Sequence, residues 1–213
     1  MREPLRLTGI THSYAGDRRT TPSLDHVTVD FPAGSVTALV GANGSGKSTL
    51  LGVLAGTLHP SHGHITGLPD AVALVPQHSA APELFPVTVR DTVARGRWRD
   101  RGLLPPPTRH DRHLVDLAME RTGVTGFAGR TLADLSGGQR QRTLIAQGLA
   151  QQAPLLLLDE PLSAVDAATA ELVTRAVAEE KDAGTTVIIA THDPVQAAGA
   201  DRVITLDHGR VPA

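Results

Sequence analysis

The chain has 213 residues, 40% of them apolar, which suits one globular α/β domain carrying an inserted piece. Aromatics make up 2%, so the core must be built mainly from Leu, Val, Ala and Ile, and the absence of cysteine excludes disulfides and thiolate metal sites. The 20 basic and 22 acidic residues leave a net charge of −2, which provides no basic field for nucleic acid.

No apolar run reaches the ~18 residues of a membrane span, and the N-terminus lacks a signal-peptide core. A cytosolic protein is expected, and any membrane role runs through a partner. The stretch up to Phe31 reads as short strands joined by a turn. Val27, Val29 and Phe31 alternate with polar residues, the period of a half-buried strand, and Gly16-Asp17-Arg18-Arg19 reads as a hairpin tip. Tyr14 suits either hairpin packing or stacking on an adenine ring.

Ser35 to Val40 is a short apolar run. It is followed by Gly41-Ala42-Asn43-Gly44-Ser45-Gly46-Lys47-Ser48, with a helical run from Lys47 through Thr49 to about Ala55. This is G-x-x-x-x-G-K-[ST] in its required strand–loop–helix context. Such glycines let backbone N–H groups converge on phosphate oxygens, and the helix N-terminus adds partial positive charge. Lys47 is expected to reach the β- and γ-phosphates of ATP, and the Ser48 hydroxyl to ligate Mg²⁺. Lys47 is one of two lysines in the chain, with Lys181, against 18 arginines.

His59, His62 and His64 read as a polar turn before the next strand; a metal site competes but lacks an adjacent acidic or cysteine partner. Ala71 to Val75 is another short strand, with Gln77 just past it as a possible ligand of Mg²⁺ or of an attacking water. From about Ser79 to Gln151 the pattern is helical, broken by Pro105-Pro106-Pro107. His110 and His113, spaced i, i+3, read as a solvated helix face. Within this region Leu135-Ser136-Gly137-Gly138-Gln139 opens a helix with Ser136 as N-cap. It is either an ordinary Gly-containing cap or a second anion site, and a second anion site in so small a chain belongs most simply to a neighbouring copy.

Leu155 to Leu158 form a strand buried on both faces, followed by Asp159-Glu160. A carboxylate there points into the crevice above the sheet: Asp159 is placed to hold Mg²⁺ through water, Glu160 to act as general base on the attacking water. A helix from about Ala167 to Asp182, a β-branched strand Thr186 to Ala190 and a strand Arg202 to Leu206 complete the chain. His192, just past the penultimate strand, is placed to hydrogen-bond a γ-phosphate. Alternating strands and helices imply a mostly parallel sheet.

Taken together these motifs resemble the nucleotide-binding subunit of an ABC transporter over nearly the whole chain, from Leu5–Leu7 to Arg210. The Leu135–Gln139 match, lying between the phosphate loop and Asp159-Glu160, carries most of the specificity. The resemblance implies an α/β P-loop NTPase fold of RecA type: a mostly parallel sheet core, an N-terminal antiparallel β subdomain and an inserted α-helical subdomain. It implies one domain over 1–213, with 1–78 and 152–213 as nucleotide-binding core and 79–151 as the helical subdomain. It gives Tyr14 as the adenine-stacking aromatic, Gln77 as the Q-loop glutamine, Ser163-Ala164-Val165-Asp166 as the D-loop and His192 as the switch histidine. It further implies a head-to-tail homodimer with each ATP between the phosphate loop of one copy and Ser136–Gln139 of the other. The chain would then work on the cytoplasmic face of the membrane with permease subunits and an extracytoplasmic solute-binding protein.

Ala42, Val165 and Gly148 depart from the family pattern, where Pro, Leu and Arg are usual; Gly148 costs about 1 kcal/mol within a helix. Phe85-Pro86-Val87-Thr88-Val89-Arg90-Asp91-Thr92-Val93 with Gly96-Arg97-Trp98 resembles the ATPases of zinc and manganese uptake systems, and Trp98 is expected either in the permease-facing groove or in packing of the helical subdomain. No C-terminal regulatory domain is expected after Arg210. The competing readings are an ABC ATPase for another cargo, such as a haem or peptide exporter, a soluble ABC ATPase acting on ribosomes or DNA, and a non-hydrolysing regulator.

Overall fold

The computed structural model describes residues 3–14, 22–77, 87–101, 106–163 and 165–212. The expected hairpin tip at Gly16–Arg19, and Phe85-Pro86, lie outside the described residues. The chain forms two compact units. One takes residues up to 74, 154–160 and from 180 onward; the other takes 75–153 and 161–179.

The first unit holds two sheets. The antiparallel sheet has the order β2 (Leu24–Phe31), β1 (Leu5–His12), β4 (His62–Thr66). The parallel sheet has the order β5 (Val72–Val75), β6 (Leu155–Asp159), β7 (Thr186–Thr191), β3 (Val36–Val40), β8 (Arg202–Thr205). Every residue of β6 and β7 is buried, which is why both read as continuous apolar or β-branched runs. Helix α1 (Lys47–Leu54) buries every side chain except Ser48; Leu50, Leu51 and Leu54 pack with Leu39, Leu157 and Ile188 into one core.

In β1 the inward alternation is reset at Gly9, whose φ of 61° makes a bulge, so Leu7 and Ile10 both face the core. Gly63 of β4 lies against it; a Cβ there would come within 2.5 Å of the Gly9 carbonyl oxygen. The expected polar turn at His59–His64 is therefore partly a strand. β4 is an edge strand held by backbone pairing to β1, with Thr11 opposite His62 and Thr8 opposite His64. Its side chains other than Ile65 are exposed, so no apolar alternation announces it. Among the described residues no group of three or more His, Cys, Asp or Glu side chains is arranged to hold a metal.

The second unit is helical: α2 (Val89–Ala94), α3 (Trp98–Arg101), α4 (Arg109–Arg121), α5 (Gly137–Ala150) and the first turns of α6 (Ala167–Asp182). Thr88, Thr108 and Ser136 cap α2, α4 and α5, the last two through reciprocal capping boxes with Asp111 and Gln139. Helix α5 runs unbroken through Gly148. Arg97, only 6% exposed, joins two of these helices. Its Nε donates to Asp111 Oδ1 at 3.1 Å, and Nη1 donates to the carbonyls of Ala150 (3.0 Å) and Gln151 (3.3 Å). It thus supplies a cation and donors to the unpaired carbonyls at the end of α5. Arg97→Ala leaves Asp111 buried without that cation and is expected to cost about 3–5 kcal/mol in denaturant unfolding.

Asp201 pins the start of β3 in the first unit. Its Oδ2 accepts from the Val36 N–H at 2.9 Å, its own N–H donates to the Val36 carbonyl, and Lys181 donates to Oδ1. The Lys181 ammonium, then the Val36 N–H, hold the Asp201 carboxyl below its ordinary value of 3.8. A lowered folded-state pKa means stability that is present above the unfolded value and lost as pH falls through the folded one. Asp201→Asn is expected to melt below the parent at neutral pH, with the gap closing as pH drops below ~4.

Candidate active site

The loop from Gly41 to Gly46 joins the C-terminal end of β3 to α1. Gly41 packs so tightly that a Cβ would sit 2.2 Å from the Leu206 carbonyl oxygen, and Gly46 adopts φ 105°. The Gly209 N–H donates to the Ser45 carbonyl at 2.9 Å, so the turn after β8 braces the loop from below. No side chain caps the first N–H groups of α1. Those unpaired donors, with the helix dipole behind them, form an anion cradle. Lys47 is 6% exposed, and its ammonium donates to the carbonyls of Gly41 (2.7 Å) and Ala42 (3.1 Å). Asn43, Gly44 and Ser48 are exposed along the loop, while Ser45 and Thr49 are buried.

Two strands bring acid and histidine to the same end of the sheet. Asp159 closes β6 beside Ala190 of β7. Glu160 follows with φ 49°, a left-handed conformation unusual for a non-glycine residue, held by its N–H donating to the Ala190 carbonyl at 2.9 Å. That turn sends its side chain, 8% exposed, between two partners. Oε2 lies 2.8 Å from His192 Nδ1, and Oε1 lies 3.8 Å from the Lys47 ammonium. His192 follows β7 and leaves its ring largely open to solvent. A short helix not anticipated from the sequence, α7 (Pro194–Ala198), begins two residues later.

Tyr14 lies just past β1 with its ring 46% exposed and its hydroxyl 3.2 Å from that of Thr49. The structure therefore gathers Tyr14, the phosphate loop, Asp159, Glu160 and His192 in the first unit. Gln77, exposed just past β5, and Ser136–Gln139 at the start of α5 belong to the second. There the Ser136 N–H donates to Gln139 Oε1 (3.1 Å) and the Gln139 N–H to Ser136 Oγ (3.3 Å), and a Cβ on Gly137 would meet nothing within 4 Å. Asp166 caps α6 by accepting the Thr169 N–H at 2.7 Å. That bond, then the Thr169 hydroxyl, holds its carboxyl below the ordinary value.

Sequence reasoning missed His12, which is buried beside Tyr14. The signal was the inward phase it shares with Ile10 once the Gly9 bulge is counted.

A phosphate loop with an acidic pair and a histidine at neighbouring strand ends defines a P-loop ATPase. The family model described as ABC transporter matches residues 24–163, and the chain belongs to that family. It is an ABC transporter ATPase, which binds and hydrolyses ATP. It is 44% identical over 207 residues to the hemin import ATP-binding protein HmuV of Streptomyces coelicolor, covering 90% of this chain and 72% of that one. It is 36% identical over 197 residues to the manganese transport system ATP-binding protein MntB of Listeria monocytogenes, covering 89% and 80%. A structure described as a metal-chelate type ABC transporter, in an inward-facing conformation, superposes with a TM-score of 0.85 at 31% identity, covering 98% of this chain and 82% of that one. A dimeric bacterial ABC transporter cassette superposes at 0.86 with 26% identity, covering 98% and 97%. Among the described residues no helix is long and apolar enough to cross a membrane.

Proposed function

We propose that this chain is the ATPase subunit of an importer for a transition metal, carried as the ion or as a chelate such as haem, with Glu160 as its general base. The observation that carries the catalytic part is the buried Glu160 carboxylate held between His192 and Lys47. Glu160 takes the proton of the water that attacks the γ-phosphorus as the bond to ADP breaks, and His192 orients that carboxylate. The Lys47 ammonium has three donors. It can exchange the Gly41 and Ala42 carbonyls for β- and γ-phosphate oxygens without leaving the loop.

Gly41, Asn43, Gly44, Ser45, Gly46, Ser48 and Thr49 complete the phosphate contacts, and adenine stacks on Tyr14. The hydroxyl of Ser48, the carboxylate of Asp159 and the amide oxygen of Gln77 are hard oxygen donors, the set Mg²⁺ takes. When bound, that ion neutralises phosphate charge.

Ser136, Gly137, Gly138 and Gln139 complete the site of a second copy in a head-to-tail homodimer, a reading supported by the dimeric cassette the chain resembles. Residues 79–151 serve as the helical insertion and 1–78 with 152–213 as the nucleotide core. ATP favours the closed dimer over the open one, and that difference moves permease subunits at the cytoplasmic face, which an extracytoplasmic binding protein supplies. Glu160→Gln is expected to bind ATP with parental affinity and to hydrolyse it ~10²–10⁴-fold more slowly. Parental turnover removes Glu160 from the role of base.

Manganese import is supported by the likeness to MntB, and zinc was expected beside it from the Phe85–Trp98 segment. Haem is supported by the likeness to HmuV, a protein named for import rather than export. The deciding experiment is growth of a deletion strain under chelation, with manganese, zinc, iron and hemin restored one at a time. Selective need for one of them names the cargo. Parental growth throughout sends the cargo to another class while leaving the ATPase intact.

A further inference from the structure

The last inward residue of β1 is His12, which is 8% exposed and lies opposite Leu24 of β2. Its Nδ1 lies 2.8 Å from the His59 carbonyl oxygen. A carbonyl only accepts, so Nδ1 carries a proton and donates to it, while Nε2 lies on the far side of the ring. That Nε2 is buried and has no hydrogen-bond partner among the described residues. A buried ring nitrogen left unpaired is costly, and a leucine or phenylalanine would fill the space without it. What the histidine supplies instead is the Nδ1 bond and a ring fixed by it.

That ring meets the ring of Tyr14 at 90°, with centroids 5.0 Å apart. Such a perpendicular contact is favourable in its own right and fixes the partner's plane. The far end of Tyr14 is fixed separately, by its hydroxyl against Thr49 in the first turn of α1. The segment after α1 is clamped to β1 in turn: the Ser61 N–H and hydroxyl both donate to the Thr11 carbonyl, at 2.8 and 3.0 Å. A chain of contacts therefore runs from β4's leading segment through His59 and His12 to the exposed face of Tyr14.

We propose that His12 is a positioning residue for the nucleotide base. It holds the plane of Tyr14 ready before adenine arrives, so the base does not have to order the ring itself. A pre-ordered aromatic surface raises affinity by removing that ordering entropy from the binding step. The proposal rests on the reading that adenine stacks on Tyr14. It places a specificity element outside the phosphate loop, in a residue that never touches the nucleotide.

The test uses the full chain and two ligands that are not hydrolysed, ADP and inorganic pyrophosphate, titrated by calorimetry with Mg²⁺ present. His12→Ala and Tyr14→Ala are each expected to raise the Kd for ADP on the order of tenfold, the size of one lost stacking contact, and to leave pyrophosphate unchanged. His12→Phe keeps an apolar ring at the position but cannot donate to His59, and a rise of about threefold is expected, within the range of one aromatic contact. The double variant His12→Ala/Tyr14→Ala should bind ADP no worse than Tyr14→Ala alone, because His12 acts through that ring. In steady-state hydrolysis the His12 variants should raise KM for ATP while kcat holds.

A folded His12→Ala or His12→Phe chain with parental ADP affinity, beside a weakened Tyr14→Ala, overturns the positioning role. So do additive losses in the double variant, or loss of pyrophosphate binding. Parental ADP affinity in Tyr14→Ala overturns the stacking reading beneath it and the proposal with it.

Discussion

Three parallel strands end level with one another, and the site depends on that alignment. Val40 lies beside Thr191, and Asp159 beside Ala190. The strand ends therefore deliver the phosphate loop, the acidic pair and His192 to one edge of the sheet. A slip of one residue would turn each side chain to the opposite face and carry the Asp159–Glu160 pair out of line with the phosphate loop. The packing of Leu157, Ile188 and Leu39 against α1 is thus also what sets the distance between Lys47 and Glu160.

That distance places an ammonium and a carboxylate, both over nine-tenths buried, near one another at the mouth of an anion cradle. Burial of opposite charges is weak evidence of added stability, because desolvation offsets most of the attraction. The left-handed backbone at Glu160 is a further cost at the same spot. Both are intelligible as function held in place by the surrounding sheet. The Glu160 N–H to Ala190 carbonyl bond and the enclosed strands on either side over-determine the strained turn.

The parts of this arrangement readable from the sequence were those in which chemistry or burial dictates residue type. The β6 and β7 runs announce themselves because strands enclosed on both faces are built almost wholly of apolar or β-branched side chains. Helix α6 occupies the expected Ala167–Asp182 because a continuous helical pattern of that length has no competitor. The phosphate loop is legible because Gly41 and Gly46 cannot be replaced at such close approach. β4 was not legible, since backbone pairing at an edge demands nothing of His62 or His64. α7 is shorter than two turns and shows no period. The ties between Lys47 and the loop carbonyls, the turn at Glu160 and the inward place of His12 are products of tertiary packing and a bulge, and local pattern carries neither.

The brace beneath the phosphate loop has a consequence for how the chain is made. β3 pairs with β7 and β8, and the loop after it leans on Leu206 and Gly209. Every one of those supports is encoded about 150 residues later, roughly 10–30 s of elongation at ordinary ribosomal rates. A nascent chain therefore displays the complete phosphate-loop sequence long before it owns the fold that shapes it. Nucleotide capture has to wait until β7, β8 and the turn at Gly209 have been made, so the earlier nascent chain carries the phosphate-loop sequence without the shape that engages ATP.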